Sequence, residues 1–416
     1  MYIKMRRVFH PVGQGAFYSE SFYTGFGTFN MVYDCGSMSK GVDNIISNSF
    51  DKDNGNDIDI LFISHFDSDH VNKIALLKKS VNKIKKKIKK VIMPLIPDED
   101  KGILLAFNIA SNREYQDCAN IIINPQAFFG DGTRIIQVRE RENLRESSGD
   151  NPEEAQATIN INEVETPEID SGTNIHFHDP NIFITPFWVY KPYNYKHKGR
   201  NRELIDKFNS KNISIGKLLD VEYINKNIKE IRACYREIKG NINQNSLVLY
   251  SNYQDSLVLH SLILHSNCLK INLCLSRCAD YGAICHRYDC WHCHRRIISP
   301  GCIYTGDVNL AKIRRDFKNS ITRYRGYRPV GTIQVPHHGS KHGFDIGFFD
   351  DFKDSKYGII SPVSFGLSNP YRHPSSMVIE KLLENHFPVL VTNDGNSLIQ
   401  RFIFQSNRLN KISSNP

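Results

Sequence analysis

Three features of the sequence predict an α/β fold with a metal site at the rim of a sheet. The apolar run from Ile58 to Ile63 has the length and β-branched content of a buried strand. Directly after it, His65, Asp67, Asp69 and His70 place four metal-ligand side chains within six residues. Val71, Ile74, Ala75, Leu77 and Val81 then share one face at helical spacing. A strand followed by such a loop and a helix fixes the loop backbone against a sheet edge. His65 and Asp67 are two apart and project from the same side of an extended segment, which leaves Asp69 and His70 free to turn toward a second position. Imidazole and carboxylate together suit zinc, manganese or iron, and such a set can hold two ions that share a water. A polar loop capping a helix accounts for one acid, but not for two histidines at this spacing.

Composition narrows the class. The 416 residues are enough to bury a large core, and 40% of them are hydrophobic. Lys and Arg total 53 against 44 Asp and Glu, and the resulting +9 favours polyanionic partners such as nucleic acid or phosphate esters. No stretch approaches the ~20 apolar residues of a membrane span. The longest apolar region, Leu257 to Leu269, is interrupted by His260, Ser261, His265, Ser266 and Asn267. The N-terminus is patterned like a strand and has no signal-peptide core. These features lead to the expectation of a cytoplasmic protein with no membrane association. Six of the ten cysteines fall between Cys268 and Cys293, and such clustering in a cytosolic chain argues for metal rather than disulfides.

Taken in order, residues 1 to 36 read as strand, turn, strand, with Val12-Gly13-Gln14-Gly15 at a tight turn and Asp34-Cys35-Gly36 closing the second strand. Lys83 to Lys90 is a basic helical end, read as a solvated face with a phosphate-tracking patch as its rival. Ile103 to Ile123 reads as helix and short apolar segment. Arg139 to Asp170, rich in Glu, Asn, Ser and Arg, reads as a loop or mobile excursion. His176 and His178 alternate on one strand face, as half-buried strand residues or metal ligands. Tyr190, Tyr193 and Tyr195 interleave with lysines in a segment read either as an exposed linker or as a base-stacking, phosphate-pairing stretch. A helix is expected over roughly Val221 to Lys239, and Ser246 to Tyr250 is a strong strand signal.

Further strand ends then carry ligand-type residues. Cys302 to Tyr304 leads into Thr305-Gly306-Asp307, Ile333 to Val335 leads into His337-His338-Gly339-Ser340-Lys341, and Gly358 to Val363 is followed by Asn369-Pro370-Tyr371-Arg372-His373-Pro374. An amphipathic helix, Val378 to His386, and a last hairpin near Val389 to Gly395 complete the chain. Between these stations Cys268, Cys274, Cys278, Cys285, Cys290 and Cys293 lie beside His286, His292 and His294. Cys290-Trp291-His292-Cys293 is a C-x₂-C knuckle whose thiolates can reach one ion. Cys274 and Cys278 are the natural second pair for a structural zinc, with Cys285 or a His as substitutes.

The ordered set Asp34, His65 to His70, Asp307, His337-His338 and His373 resembles the metallo-β-lactamase fold superfamily. There the loop reads His-x-His-x-Asp-His, whereas here Asp67 replaces the second His. The variant His-x-Asp-x-Asp-His, together with Val-Gly-Gln-Gly, Thr-Gly-Asp, His-His-Gly-Ser and Asn-x-Tyr-x-His-Pro, resembles the soluble hydrolase domain of ComEC-type competence proteins. Ala16 stands where that family carries an acid. The resemblance implies an αββα sandwich formed by a single domain over 1–416, with a polar insertion near 98–245 and a Cys/His-rich zinc-binding insertion near 256–300. It implies a site of two divalent ions, zinc or manganese, held by His65, Asp67, Asp69, His70, Asp307, His338 and His373. Asp34 would orient a ligating His through its far ring nitrogen. Asp69, His337, Ser340 and Lys341 would take part in the chemistry, the last three gripping a phosphate or donating a proton. Asp69 and His70 are expected at one ion, His65, Asp67 and His338 at the other or the bridge, and Asp307 across both.

The expected reaction is metal-assisted hydrolysis of a phosphodiester in DNA or RNA. A small-molecule hydrolase acting on a cyclic nucleotide, lactone or thioester would use the same ions within a closed pocket. A regulated effector hydrolase in a defence-type assembly is a further alternative, because a free nuclease endangers its own cell and a protein partner would restrain it. A non-catalytic module would require lost ligands, and the main stations are all present.

Overall fold

Two mixed β-sheets carry most of the apolar runs. The computed structural model describes residues 2–25, 27–50, 57–111, 116–141, 157–161, 166–177, 186–195, 198–238, 246–254, 257–266, 269–274, 297–323 and 326–406. The larger sheet has ten strands, in the order Leu269–Cys274, Leu257–Ser266, Leu398–Ser406, Tyr2–Phe9, Phe17–Thr24, Gly27–Cys35, Ile60–Phe62, Lys90–Pro94, Arg134–Val138 and Glu168–Ile169. The smaller has six, in the order Val330–Ile333, Gly301–Tyr304, Ser246–Tyr253, Trp188–Tyr195, Asn174–Phe177 and Thr158–Asn160.

The facing sides of the sheets share one core, in which Tyr18, Tyr33 and Phe62 pack with Trp188, Tyr190, Leu249 and Tyr304. Helices Asp43–Asn48, Ile74–Lys83 and Gln116–Ile123 cover the outer face of the larger sheet. Leu310–Thr322, Ile346–Asp350 and Ser376–Glu384 cover that of the smaller. Helix, sheet, sheet, helix is the αββα layering expected from the sequence. Among the described residues, no helix is long and apolar enough to cross a membrane.

Strand direction places the site. Gly27–Cys35, Ile60–Phe62, Lys90–Pro94 and Arg134–Val138 run parallel, and so do Gly301–Tyr304 and Val330–Ile333. Parallel strands buried on both faces read as continuous apolar runs, which is why the run ending at Ile63 was legible. The chain leaves Phe62 toward His65 and leaves Tyr304 toward Asp307. Leu247 N–H donates to Ser64 O at 2.8 Å and Tyr33 Oη donates to Leu247 O at 2.6 Å, so the two sheets are stitched together at this rim.

Several expectations are corrected. Tyr190, Tyr193 and Tyr195 belong neither to a linker nor to a stacking surface. They sit in the fully buried strand Trp188–Tyr195, with Tyr190 facing the inter-sheet core and Tyr193 and Tyr195 the helical side. Pro192 argues against an interior strand in sequence, yet here it lies opposite Leu249, and its carbonyl accepts from Gly172 N–H. The Arg139 to Asp170 segment contributes the edge strands Thr158–Asn160 and Glu168–Ile169, while 142–156 and 162–165 lie outside the described residues. Within 98–245, Arg134–Val138, Asn174–Phe177 and Trp188–Tyr195 are integral sheet strands. The remainder includes a helical lobe with its own core of Leu105, Ile109, Phe208, Leu218 and Ile231.

The Lys83 to Lys90 run is not helical beyond Lys83. Lys83, Lys85 and Lys87 are exposed, and Lys89 pairs with Asp59 at 2.7 Å and Asp57 at 3.4 Å. In the 256–300 segment, Leu257–Ser266 and Leu269–Cys274 form a hairpin that extends the larger sheet past Leu398–Ser406. Ser246–Tyr253 therefore still lies beside Gly301–Tyr304. Of the expected zinc set, Cys274 ends its strand, and Cys278, Cys290 and Cys293 lie outside the described residues.

One buried ion pair joins adjacent strands of the larger sheet and faces the smaller one. Arg7 Nε donates to Glu20 at 2.8 Å, and its other nitrogens donate to Gln400 Oε1 at 3.0 Å and Pro300 O at 2.8 Å. Glu20 also accepts from Tyr190, Tyr304 and Ser251, so strands of both sheets converge on one satisfied charge pair. Such a pair is costly to break but not costly to replace as a unit. Glu20→Gln is expected to lower unfolding free energy by about 3–5 kcal/mol, with the Arg7→Met/Glu20→Leu double variant losing less; urea denaturation of the set checks this.

Lys191 is fully buried, and burial followed by the nearby Arg141 lowers its ammonium to about 7 from 10.5. Between those values the unfolded chain binds the extra proton, so this group's contribution is complete above the unfolded value and is lost as pH falls through the folded one. Denaturation at pH 7 and pH 9.5 should show stability rising with pH, by at most about 1.4 kcal/mol per unit from this group. Lys191→Met should flatten that rise.

Candidate metal centre

The site is built from the ends of strands in both sheets. Asp34 ends the Gly27–Cys35 strand in a left-handed conformation, φ 57°. This turns its carboxylate across the neighbouring strand end, where Oδ1 accepts Ser64 N–H at 2.7 Å and Oδ2 accepts Ser64 Oγ–H at 2.7 Å. The same Oδ2 lies 2.8 Å from His70 Nδ1. Gly36 follows because a Cβ there would fall 2.4 Å from the Asp69 carbonyl carbon. Ala16 N–H donates to Asp69 O at 3.0 Å, so the turn before it holds the loop through the backbone.

His65 Nδ1 lies 2.8 Å from Ser64 Oγ and 3.3 Å from Ser246 Oγ. Ser246 Oγ also accepts Asp307 N–H at 3.1 Å. His338 Nδ1 donates to Ser364 O at 2.9 Å, which orients the ring so that Nε2 faces the site and Asp69. Each of the three imidazoles is thus anchored through Nδ1 with Nε2 turned inward. Ser246 and Ser364 were missed in sequence, since a serine at a strand end carries no signal of its own. Gln334 was missed likewise: its Oε1 accepts Thr305 N–H at 3.0 Å below Asp307.

Inside, the ligand atoms form two groups, each within 4.8 Å: His65, His70 and Asp307, and Asp69, His70 and His338. His70 Nε2 is 3.3 Å from Asp307 Oδ1, His65 Nε2 is 3.7 Å from Asp307 Oδ2, and His338 Nε2 is 3.0 Å from Asp69 Oδ2. Asp67 Oδ2 is 3.8 Å from His65 Nε2. The grouping differs from the sequence expectation. His338 joins Asp69 rather than His65 and Asp67, and His70 is the member common to both groups.

His337 pairs through Nδ1 with Asp307 Oδ2 at 2.8 Å. His373 belongs to neither group; it is half-buried, with its ring 5.8 Å from that of His337. Ser340 is buried, and its Oγ accepts His342 N–H at 3.2 Å, so it shapes the turn, while Lys341 is exposed. His176 lies in the strand Asn174–Phe177 outside both groups, and His178 lies outside the described residues.

The electrostatics fit divalent cations. His65 Nε2, His70 Nε2 and Asp307 Oδ1 are buried without a hydrogen-bond partner among the described residues, and orphaned groups of this kind are expensive unless a ligand satisfies them. Burial, then repulsion from Asp69 and Asp307, drives the Asp67 carboxyl well above the usual range. Burial, then His70, lowers His65 to about 3. For His70 burial acts in the opposite sense, but Asp307 and Asp34 outweigh it and raise the imidazole well above its usual value. Crowded carboxylates beside the neutral His65 imidazole suit a cation that both can face. Backbone strain gathers here too: of seven non-glycine residues with positive φ among the described residues, Asp34, His337, His338 and Arg372 border the site.

Comparison with known proteins identifies residues 17–161 with the metallo-beta-lactamase superfamily. That match spans Asp34 and the whole His65 to His70 loop. No curated protein matches the chain. Among solved structures, human tRNase Z, short form, aligns over 94% of this chain and 98% of its own, at 8% identity and a TM-score of 0.34. The mixed α/β layers are consistent with the metallo-β-lactamase fold. With the His/Asp groups, the superfamily match supports a metal-dependent hydrolase. Neither comparison singles out the competence-protein subgroup.

Asp34→Asn keeps the shape but weakens the bond to His70 Nδ1. Metal affinity is expected to fall by about 10- to 100-fold, as read by calorimetric titration of metal-free protein with Zn²⁺ or Mn²⁺.

Proposed function

We propose that the protein is a phosphodiesterase acting on DNA or RNA, using two divalent ions, zinc or manganese, at the His65–His70/Asp307/His338 centre. The His-x-Asp-x-Asp-His loop resembles that of the hydrolase domains of ComEC-type proteins, and this likeness supports the reading. The observation that carries the reading is the convergence of inward-facing His65 Nε2, His70 Nε2 and Asp307 Oδ1, buried and unsatisfied, next to Asp69 and His338.

Ions bound there would supply Lewis acidity and a water ionised near neutral pH. His65, His70 and His338 hold fixed ring orientations through their Nδ1 partners, so their Nε2 atoms need no rearrangement to bind. Asp67 adds a hard oxygen ligand where the superfamily loop has a neutral imidazole, which makes manganese a stronger rival to zinc. At His337 burial is outweighed by Asp307, so the imidazole is held toward its protonated form. It is therefore placed to donate a hydrogen bond to a phosphoryl oxygen or a proton to the leaving oxygen. Lys341, exposed at the same turn, and the +9 chain charge favour an anionic substrate.

Purified protein should contain zinc or manganese by elemental analysis and should cleave single- or double-stranded DNA or RNA in a metal-dependent, chelator-sensitive way. His65→Ala and Asp307→Ala should each reduce that rate by about 100-fold or more. Turnover of a lactam or thioester without any phosphodiester cleavage would remove the reading, as would full activity in either alanine variant.

A further inference from the structure

Beside the metal centre, the loop between Ser361–Ser364 and helix Ser376–Glu384 holds a large aromatic ring out into solvent. Tyr371 is 68% exposed, and the following Arg372 is exposed as well. The loop is pinned in place. Asn369 Nδ2 donates to Gly366 O at 2.6 Å and His373 O at 2.9 Å, while its Oδ1 accepts His373 N–H at 2.9 Å. Ser375 N–H donates to Gly339 O at 2.9 Å, and a Cβ on Gly339 would come within 2.5 Å of Pro374, so the loop sits directly on the His337-His338 turn.

Three rings lead inward from the surface. Tyr371 stacks on His373 with centroids 5.8 Å apart and planes 17° apart, and His373 meets His337 edge-on at 5.8 Å. His337 is the residue hydrogen-bonded to Asp307. Arg372 turns the chain with φ 56°, a conformation disfavoured for a side-chain-bearing residue. An exposed aromatic ring and an exposed arginine are thus consecutive residues of one pinned loop, with the ring one imidazole away from the groups expected to surround the scissile phosphate.

We infer that Tyr371 is a stacking platform for a nucleobase next to the scissile phosphodiester, and that Arg372 contacts a flanking phosphate. The inference rests on the phosphodiesterase reading and narrows it to substrates that carry bases. A ring with one face on His373 and the other open accepts any base, so the platform favours single-stranded substrate without reading its sequence. The guanidinium adds a contact to the backbone that is independent of the base.

The test is equilibrium binding, by fluorescence anisotropy with metal chelated, of a short labelled single-stranded oligonucleotide and of an abasic sugar-phosphate strand of equal length. Wild type is expected to prefer the base-bearing strand by about 10- to 100-fold. Tyr371→Ala should bring that ratio close to one, and Tyr371→Phe and Tyr371→Trp should retain it. Arg372→Ala should weaken both strands alike and reduce the salt dependence by about one phosphate contact. In turnover with Mn²⁺, Tyr371→Ala should raise KM on the base-bearing strand far more than it lowers kcat. A Tyr371→Ala protein with the wild-type ratio overturns the inference. A wild type that cleaves oligonucleotides without preferring bases overturns it too, while leaving the hydrolase reading intact. A wild type that neither binds nor cleaves any phosphodiester removes both.

Discussion

The site depends on one carboxylate that faces no substrate. Asp34 accepts from the backbone and hydroxyl of Ser64 and holds His70 by its far nitrogen, tying the loop to the strand beside it. That single anchor sets the rings of both histidines, because Ser64 Oγ also contacts His65 Nδ1. Asp34 is fully buried, and burial pushes its carboxyl upward while His70 and Ser64 oppose the shift. The groups it positions thus offset part of the cost of burying it. The loop cannot relax to relieve the crowding of Asp67, Asp69 and Asp307, and this keeps Asp307 beside His65 and His70 and Asp69 beside His70 and His338.

The second constraint is close approach of backbone to backbone. Gly15, Gly36 and Gly339 each stand where a side chain would strike a neighbouring segment of the site. Consecutive left-handed residues at His337 and His338 bring two imidazoles off one turn in different directions, one toward Asp307 and one toward Asp69. Such a turn costs of order 1–2 kcal/mol per residue, and the His337 N–H bond to Gly306 O and the Ser340 N–H bond to His337 O help hold it. Between the sheets, the Arg7–Glu20 network keeps strands of both layers in register below the rim. The strain at the top therefore sits on a rigid base.

Much of the polar chemistry was legible because it follows strand ends. Ile60 to Ile63 and Gly301 to Tyr304 are apolar on both faces, so the abrupt change to Asp and His marks where the chain leaves the sheet. The tyrosine-rich strand Trp188–Tyr195 was not legible. Lys191 and Pro192 disguise it, although Lys191 is fully buried and the neighbouring Tyr193 and Tyr195 pack against Phe317 of helix Leu310–Thr322. The hairpin Leu257–Ser266/Leu269–Cys274 shows the same limit, since its pairing with the distant Leu398–Ser406 strand extends a sheet on the far side of Tyr2–Phe9.

By itself, the order of residues determined the candidate ligand types and their attachment to strand ends, because hydrophobic period and strand length are local properties of the chain; the αββα layering came only with the resemblance that those stations carry. Tertiary structure alone decided which ligands share a space: His70 between His65–Asp307 and Asp69–His338, with Ser246 and Ser364 as anchors. Ser246 and Asp307 are 61 residues apart, and Asp69 and His338 are 269 apart. Their distances are fixed by how two sheets pack and where each strand stops, and no local pattern encodes that.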